Sequence, residues 1–387
     1  MRAADTRPTG KAAETVACGL LSDGLRNSRA EIDLRTACLP REALGRVFAQ
    51  VMNGTPELFY VDSRLSYTYD AAGDVLSVTP VYRMAGEELE AARRFWHDTL
   101  DQVMASLHEA QTARQAVPVG GRPAGSEADT VLFLHEYLAQ TYDYDTAGGN
   151  FDALSLFRDG VGVCQAYALA FMALGRAAGL EVDMVTSREM DHAWNHVRVG
   201  DAWYHVDVTW DDPAPDTPGI VSHQYFLISD ARLNGLDTGA SHIWNEELQA
   251  RTSTKYEDGW AFNGSWYPLY RWSGAYYYVK FGSNPYEYAL YRTDDLSQIG
   301  ISIVGQLANG YDSRFGALWL NGFLYDTTAA GAERILWRCS LDDGSRAEVG
   351  RIPFTETASE DGAYPADRDG VGLRYAAETG EVEAISR

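Results

Sequence analysis

DGVGVCQAYALAFMALGRAAG, residues 159–179, is the stretch on which the fold turns. A glycine-interrupted approach leads into apolar residues at helical spacing, and Gly179 supplies the stop. Cys164 falls in the first turn of that predicted helix. Backbone N–H groups and the helix dipole lower a thiol pKa there and offer a cradle for a carbonyl oxyanion. Thiolate is the nucleophilic form, so a cysteine so placed suits attack on an acyl carbon. A lone cysteine is more often a small packing residue, so a second feature has to tip the balance.

That feature lies downstream. HAWNHVRV (192–199) and AWYHVDVTW (202–210) alternate as strands around Gly200-Asp201, a two-residue turn. Pairing Val199 with Ala202 sets Trp194 opposite Asp207 and His192 opposite Thr209. His192 and Asp207 then share a face as diagonal neighbours, whereas a one-residue slip parts them. A thiol, an imidazole and a carboxylate that orients the imidazole are the set a cysteine nucleophile uses. His196 and His205 share the same face, so a metal site of His192, His196, His205 and Asp207 competes. HAWNH lacks the glutamate of the helical HExxH motif and reads as strand, so no metal is expected. Asp211, Asp212 and Pro213 read as a turn closing the strand, and Trp210, His223 and His242 as structural residues.

Upstream, LPREALGRVFAQVMNG (39–54) places Leu44, Val47, Phe48 and Val51 at helical spacing. Strand-like LFYVD (58–62), LSYTYD (65–70) and VLSVTPVYR (75–83) follow, then a long helix over 87–111. VPVGGRPAGS (117–126) has linker composition, and Ser126 suits the cap of a helix through VLFLHEYLAQ (131–140). From Tyr256 onward short aromatic strands alternate with Gly, Asn and Asp turns. LYRTDDLSQ (290–298) and LWRCSLDDG (336–344) look like one element repeated after about 45 residues, with VGLRYAAETGEVEAI (371–385) a third copy. About three blades fall short of a closed propeller, so a β-meander module or incomplete array is expected. Its aromatics read as strand packing, with a carbohydrate or wall-polymer platform as the alternative. The expected division is an N-terminal α/β extension (1–116), a catalytic domain (117–250) and an aromatic β-repeat module (251–387).

Composition narrows the function. Of 387 residues, 45% are hydrophobic and 22% charged, which suits a folded chain with a real core. The 32 basic and 55 acidic residues leave a net charge of −23, which disfavours nucleic acid and anionic membrane surfaces as partners. No apolar run reaches the roughly 20 residues of a membrane span. Four cysteines are too few for a disulfide scaffold, although Cys18 and Cys38 are free to pair.

GVCQAYALAF (162–171), DHAWNHV (191–197) and AWYHVDVTWDDP (202–213), in that order and spacing, resemble the transglutaminase-like superfamily with its papain-like Cys–His–Asp arrangement. PELFYV (56–61), VTPVYR (78–83), TYDYD (141–145), HQYFLISD (223–230) and SHIWN (241–245) extend the likeness to bacterial transglutaminase-like domain proteins, over residues 19–250. The resemblance implies an α+β fold in which the cysteine helix packs on an antiparallel sheet. It implies Cys164 as nucleophile, His192 as general base and Asp207 as orienting acid. Ala166 stands where relatives often carry glycine, which implies a narrower pocket. Gln165, Tyr142, Tyr144 and Trp194 are the candidates for a second oxyanion donor or substrate contact.

The implied chemistry is acyl transfer on peptide or amide bonds through a thioester, with hydrolysis slightly favoured over transamidation and no cofactor. A protein or peptide substrate is expected, cell-wall peptide among the candidates. Relatives with such tails are frequently exported, so an extracytoplasmic or cell-surface location is expected. The first residues lack the apolar centre of a secretory leader, which keeps the cytoplasm as the alternative. A catalytically silent surface protein that binds through its β module is the second functional reading, and a metal-dependent hydrolase the third.

Overall fold

The computed structural model describes residues 8–112, 125–212, 220–236, 242–244, 250–257, 265, 267–281, 288–305, 307, 318–330, 333–353, 372–376 and 381–385. It mixes helices with mostly antiparallel sheets. Helix α1 (Lys11–Arg26) and strand β1 (Ile32–Asp33) lead to α2 (Arg41–Gly54), which buries Leu44, Val47, Phe48 and Val51. Strands β2 (Val61–Tyr69) and β3 (Val75–Tyr82) complete a sheet ordered β1-β3-β2. Residues 58–62 do not form the separate strand expected. A 3-10 turn at Pro56–Leu58 instead drives Leu58, Phe59 and Tyr60 into the core, and β2 starts at Val61. The long helix α3 (Gly86–Thr112) follows. Most of the linker-like stretch lies outside the described residues.

A capping box opens α4 (Glu127–Thr141): Ser126 Oγ accepts from the Asp129 N–H at 3.2 Å, and Asp129 accepts from the Ser126 N–H at 3.0 Å. Strand β4 (Asp143–Tyr144) pairs in parallel with β5 (Val161–Gly162), bracketing α5 (Ala153–Asp159). The chain then turns directly into α6 (Cys164–Ala177), buried on most sides among α4, α5 and the following sheet. A Cβ on Gly175 would lie 2.7 Å from Val182 Cγ2, so the helix and sheet meet at near-backbone distance there.

That sheet holds β6 (Val182–Ser187), β7 (His192–Val199), β8 (Ala202–Val206) and, after the single turn α7 (Val208–Asp211), β9 (Phe226–Ile228). Its order is β6-β7-β8-β9, all antiparallel, and α8 (Asp230–Gly235) leaves its last strand. The hairpin pairs Val199 with Ala202 and His196 with His205, as the Gly200 turn at φ +62° dictates. The expected strand over 202–210 stops early. Asp207 accepts the Trp210 N–H at 3.2 Å and caps α7, so Thr209 is helical and His192 pairs with Ser187 instead. A short polar side chain that bonds its own backbone competes with the strand ladder.

Beyond it, β10 (Tyr270–Trp272), β11 (Ala275–Phe281), β12 (Tyr288–Thr293) and β13 (Ile301–Val304) form one four-stranded meander. A second is built from β14 (Leu318–Leu320), β15 (Phe323–Ala330), β16 (Glu333–Ser340) and β17 (Arg346–Pro353). LYRT and LWRCS each lie on the third strand of a sheet. Strands β18 (Gly372–Ala376) and β19 (Glu381–Ile385) pair as a hairpin. Tyr270 stacks on Trp319 at 5.5 Å with 1° between planes, and on Trp272 at 6.3 Å. These rings occupy one another's faces and join the first strands of the two sheets. Leu269 N–H donates to the buried Glu136 of α4 at 2.7 Å, tying the meanders to the cysteine-bearing core. Cys18 and Cys38 are not joined by a disulfide, and no helix among the described residues is long and apolar enough to cross a membrane.

Candidate active site

Gly162 sets the position of Cys164. A Cβ on Gly162 would sit 2.8 Å from Ala166 Cβ and 2.9 Å from Leu156 Cδ1, closer than side chains approach. Ala166 therefore points back into the β5–α6 corner, buried, and does not narrow a pocket above the thiol. Gly162→Ala should displace the start of α6 and cost about 1–3 kcal/mol through overpacking. A urea midpoint unchanged from the parent protein would contradict this close approach.

Cys164 is the first helical residue, half-buried, with no side-chain cap at Val163. The Ala166 and Tyr167 N–H groups already donate to the Val163 carbonyl, at 2.9 and 3.2 Å. The N–H groups of Cys164 and Gln165, just ahead of them, are left as donors at the positive end of a 14-residue helix. The sulfur lies 4.0 Å from the Asp191 carbonyl, and the residue after Asp191 is His192. Asp191 adopts φ +49°, a conformation L-residues seldom take, at the point where β7 begins.

His192 Nε2 donates to Asp207 Oδ2 at 2.6 Å, leaving Nδ1 as the nitrogen for the thiol. Burial opposes a charge on His192, but Asp207 first and the Cys164 thiol second outweigh it and raise the imidazole pKa to about 10. Burial likewise opposes ionisation of Asp207. His192 and then His242 overcome it and hold the carboxyl well below the usual carboxylate range. The site therefore combines a carboxylate, a proton-retaining imidazole and a thiol at a helix start, the components of acyl transfer through sulfur.

The remaining candidates divide. Tyr144 is exposed at the thiol: burial, then the Cys164 charge, raises its pKa. Gln165 is half-buried beside Cys164. Tyr142 is turned into the core, packed on Tyr137 edge-to-face at 6.1 Å and on Phe157 at 5.9 Å, because it ends α4 on that helix's inward side. Trp194 stacks on His192 at 5.6 Å with 17° between planes. Its only N–H donates to His205 Nδ1 at 3.0 Å, so it supports the imidazole and has no donor left for an oxyanion. His205 in turn meets Asp230 through Nε2 at 2.9 Å. Burial leads in driving the His205 pKa down to about 4, so the ring is neutral with its proton on Nε2.

The four-residue metal set does not assemble. His196 turns to Asp183 and Arg251, and His205 to Trp194 and Asp230. Among the described residues the group of suitable composition is His192, Asp207 and His242, whose ligand atoms lie within 4.8 Å of one another. Zinc ligands at about 2.0–2.1 Å from the metal stand roughly 3.3 Å from each other. The two imidazole nitrogens lie 2.6 and 2.9 Å from the carboxylate oxygen, which are hydrogen-bond lengths. Protons, not a cation, fit this trio.

Three buried residues carry more than the sequence indicated. His242 donates to the same Oδ2 as His192, at 2.9 Å. Asp211 accepts His135 Nε2 at 3.0 Å and the Tyr225 N–H at 3.1 Å, and Asp212 accepts the Tyr167 hydroxyl at 2.6 Å. The expected turn is thus a pair of buried carboxylates that staple α4 and α6 to the end of α7, the turn that Asp207 caps. Pro213 lies outside the described residues.

Residues 115–208 match the family model of the Transglutaminase-like superfamily, a span that includes Cys164, His192 and Asp207. Among solved structures, the chain is similar to a TGase at 15% identity, over 50% of this chain and 48% of that one, with TM-score 0.25. It is similar to a candidate cysteine protease from Cytophaga hutchinsonii at 13% identity (40% of this chain, 64% of that one, TM-score 0.23). A candidate protease from Parabacteroides distasonis is 12% identical (36% of this chain, 35% of that one, TM-score 0.18). The chain spans less than two thirds of each of these proteins. No curated protein matches it.

Proposed function

We propose that this chain, whose residues 115–208 form a transglutaminase-like domain, is a cysteine-dependent acyl-transfer enzyme acting on peptide or amide bonds. The observation that carries the reading is one imidazole held at 2.6 Å by a buried carboxylate and raised in pKa both by that carboxylate and by the thiol that begins a helix.

His192 takes the proton of Cys164, and the thiolate attacks the substrate carbonyl carbon. The oxygen, now negative, is met by the N–H groups of Cys164 and Gln165 at the start of α6. As the carbon–nitrogen bond breaks, the His192 proton passes to the departing amine, leaving a thioester on Cys164. A water or an amine then gives His192 a proton as it attacks the thioester, and the thiol is regenerated. Asp207 stays ionised throughout and keeps the imidazole aimed and charged when needed. Hydrolysis is the favoured outcome, because water always reaches a half-exposed thiol. The substrate class is a protein or peptide, and the acidic chain with net charge −23 suits partners that are neutral or basic.

Incubation with a proteome-derived peptide library, with and without a primary amine, tests the reading. New peptide termini are expected, and their loss in Cys164→Ala. A mass gain equal to the amine less ammonia would make the enzyme a transamidase. Neither product from the parent protein would leave the reading without an activity and favour a silent binding role for the β module.

A further inference from the structure

Two imidazoles converge on one carboxylate oxygen, and the reaction above employs only one of them. His242 arrives 35 residues after Asp207 and reaches Oδ2 at 2.9 Å through Nε2. It is 2% exposed. Its ring meets Trp210 edge-to-face at 4.4 Å, Trp194 at 4.9 Å and Tyr225 at 5.4 Å. Its neighbours are tied down as well. The Ile243 N–H lies 3.4 Å from Met190 Sδ, and Trp244 packs on His205 at 5.0 Å with the Arg251 guanidinium over its face. Residues 242–244 thus form a short strap across the hairpin that presents His242 to Asp207.

We propose that His242 is a positioning residue of the acyl-transfer site, its Nε2–H pinning the Asp207 carboxylate so that Oδ2 stays on His192. The inference rests on the acyl-transfer reading and deepens it. Among the described residues, Oδ1 of Asp207 is held by the Trp210 N–H alone, at 3.2 Å, so without His242 the carboxylate keeps one long bond there besides its partner His192. A buried carboxylate with fewer donors ionises less readily and rotates more freely. The titratable groups facing Asp207 are His192 from β7 and His242 from the strap; Cys164 on α6 acts on His192, and Tyr225 packs on the His242 ring.

The test is the rate at which Cys164 reacts with 2,2′-dipyridyl disulfide, a thiol probe that stays reactive in acid, followed across pH in the full chain. His242→Leu should move the acid limb of that profile upward by about one pH unit, a roughly 10-fold slower reaction on the limb. His242→Gln places an amide N–H where Nε2 stood and should recover most of the rate. His242→Asn, which carries its amide at the Nδ1 position and cannot reach Asp207, should behave like the leucine variant and serves should that variant not fold. An unshifted limb in the leucine or asparagine variant, or a glutamine variant as slow as either, would overturn the proposal and reduce His242 to packing. Failure of the acyl-transfer reading is distinct. It would show as a Cys164 indifferent to His192→Ala, whereas failure of this inference alone leaves the His192 dependence intact.

Discussion

His192→Ala slows alkylation of Cys164 by iodoacetamide near neutral pH by on the order of 10- to 100-fold. The size follows from thiol ionisation. An ordinary cysteine titrates near 8.5, so at about pH 6.5 only roughly 1% is thiolate. In the parent protein the imidazole stays protonated up to about 10 and can hold the sulfur as its counter-ion. The shape of the profile is as telling as the rate. The parent protein should keep its labelling advantage at neutral pH and lose it as pH passes about 10, where His192 gives up its proton. Acyl transfer should fall as pH passes about 10, because a deprotonated His192 has no proton for the leaving amine. Parallel profiles for the two proteins would mean that the imidazole does not act on the sulfur.

Asp207→Ala is expected to damage both rate and stability. Asp207 is 1% exposed and accepts from His192, His242 and the Trp210 N–H. Removing one partner of a buried ion pair costs about 3–5 kcal/mol, and a lost helix cap about 1 kcal/mol within that. Turnover should fall by on the order of 10³–10⁴, the loss seen when the orienting carboxylate of such a triad is neutralised. The pH dependence has a definite sign. The depressed Asp207 pKa gives stability that is complete above its unfolded value near 3.9 and fades as pH falls through the folded value. The raised His192 pKa gives stability complete below about 6.5 and lost as pH rises through about 10. Both describe one interaction, so the stability gap should be widest between about pH 4 and 6.5 and narrow toward pH 10. Urea denaturation near pH 6 and near pH 10 measures it. A gap below about 1 kcal/mol near pH 6 would place Asp207 among ordinary surface pairs.

The hairpin and the cysteine helix were legible because local chemistry determines them. Gly200 fixes the turn at φ +62°, and the turn fixes every pair from Val199–Ala202 to Asn195–Val206. Apolar residues repeating from Ala166 to Leu174 cannot be sited other than as a buried helix, and Ser126 with Asp129 announces the cap of α4. Asp207 hid its turn. Flanked by Val206 and Val208 it reads as a strand position, and only the bond from the Trp210 N–H reveals a cap. His242 was illegible for another reason: its partner lies 35 residues earlier, and no local period links a strap to a strand end. Asp211 and Asp212 resemble turn residues in composition, but three elements close over them and turn them into buried acceptors. The histidines were correctly placed on the hairpin yet wrongly grouped. Register brings His196 and His205 opposite each other, while Asp183 and Asp230, from β6 and α8, draw their rings away from Asp207.

The most direct measurement is a four-way comparison within one molecule. Substoichiometric iodoacetamide near neutral pH, followed by peptide mapping, gives the relative reactivity of Cys18, Cys38, Cys164 and Cys339. Burial, with help from Glu14, raises the Cys18 pKa, and burial pushes Cys339 up to about 11. Label concentrated on Cys164, and abolished there by His192→Ala, is the predicted result. Label spread over Cys38 and Cys164 alike, unmoved by that substitution, would contradict a nucleophile built from this sulfur, this ring and this carboxylate.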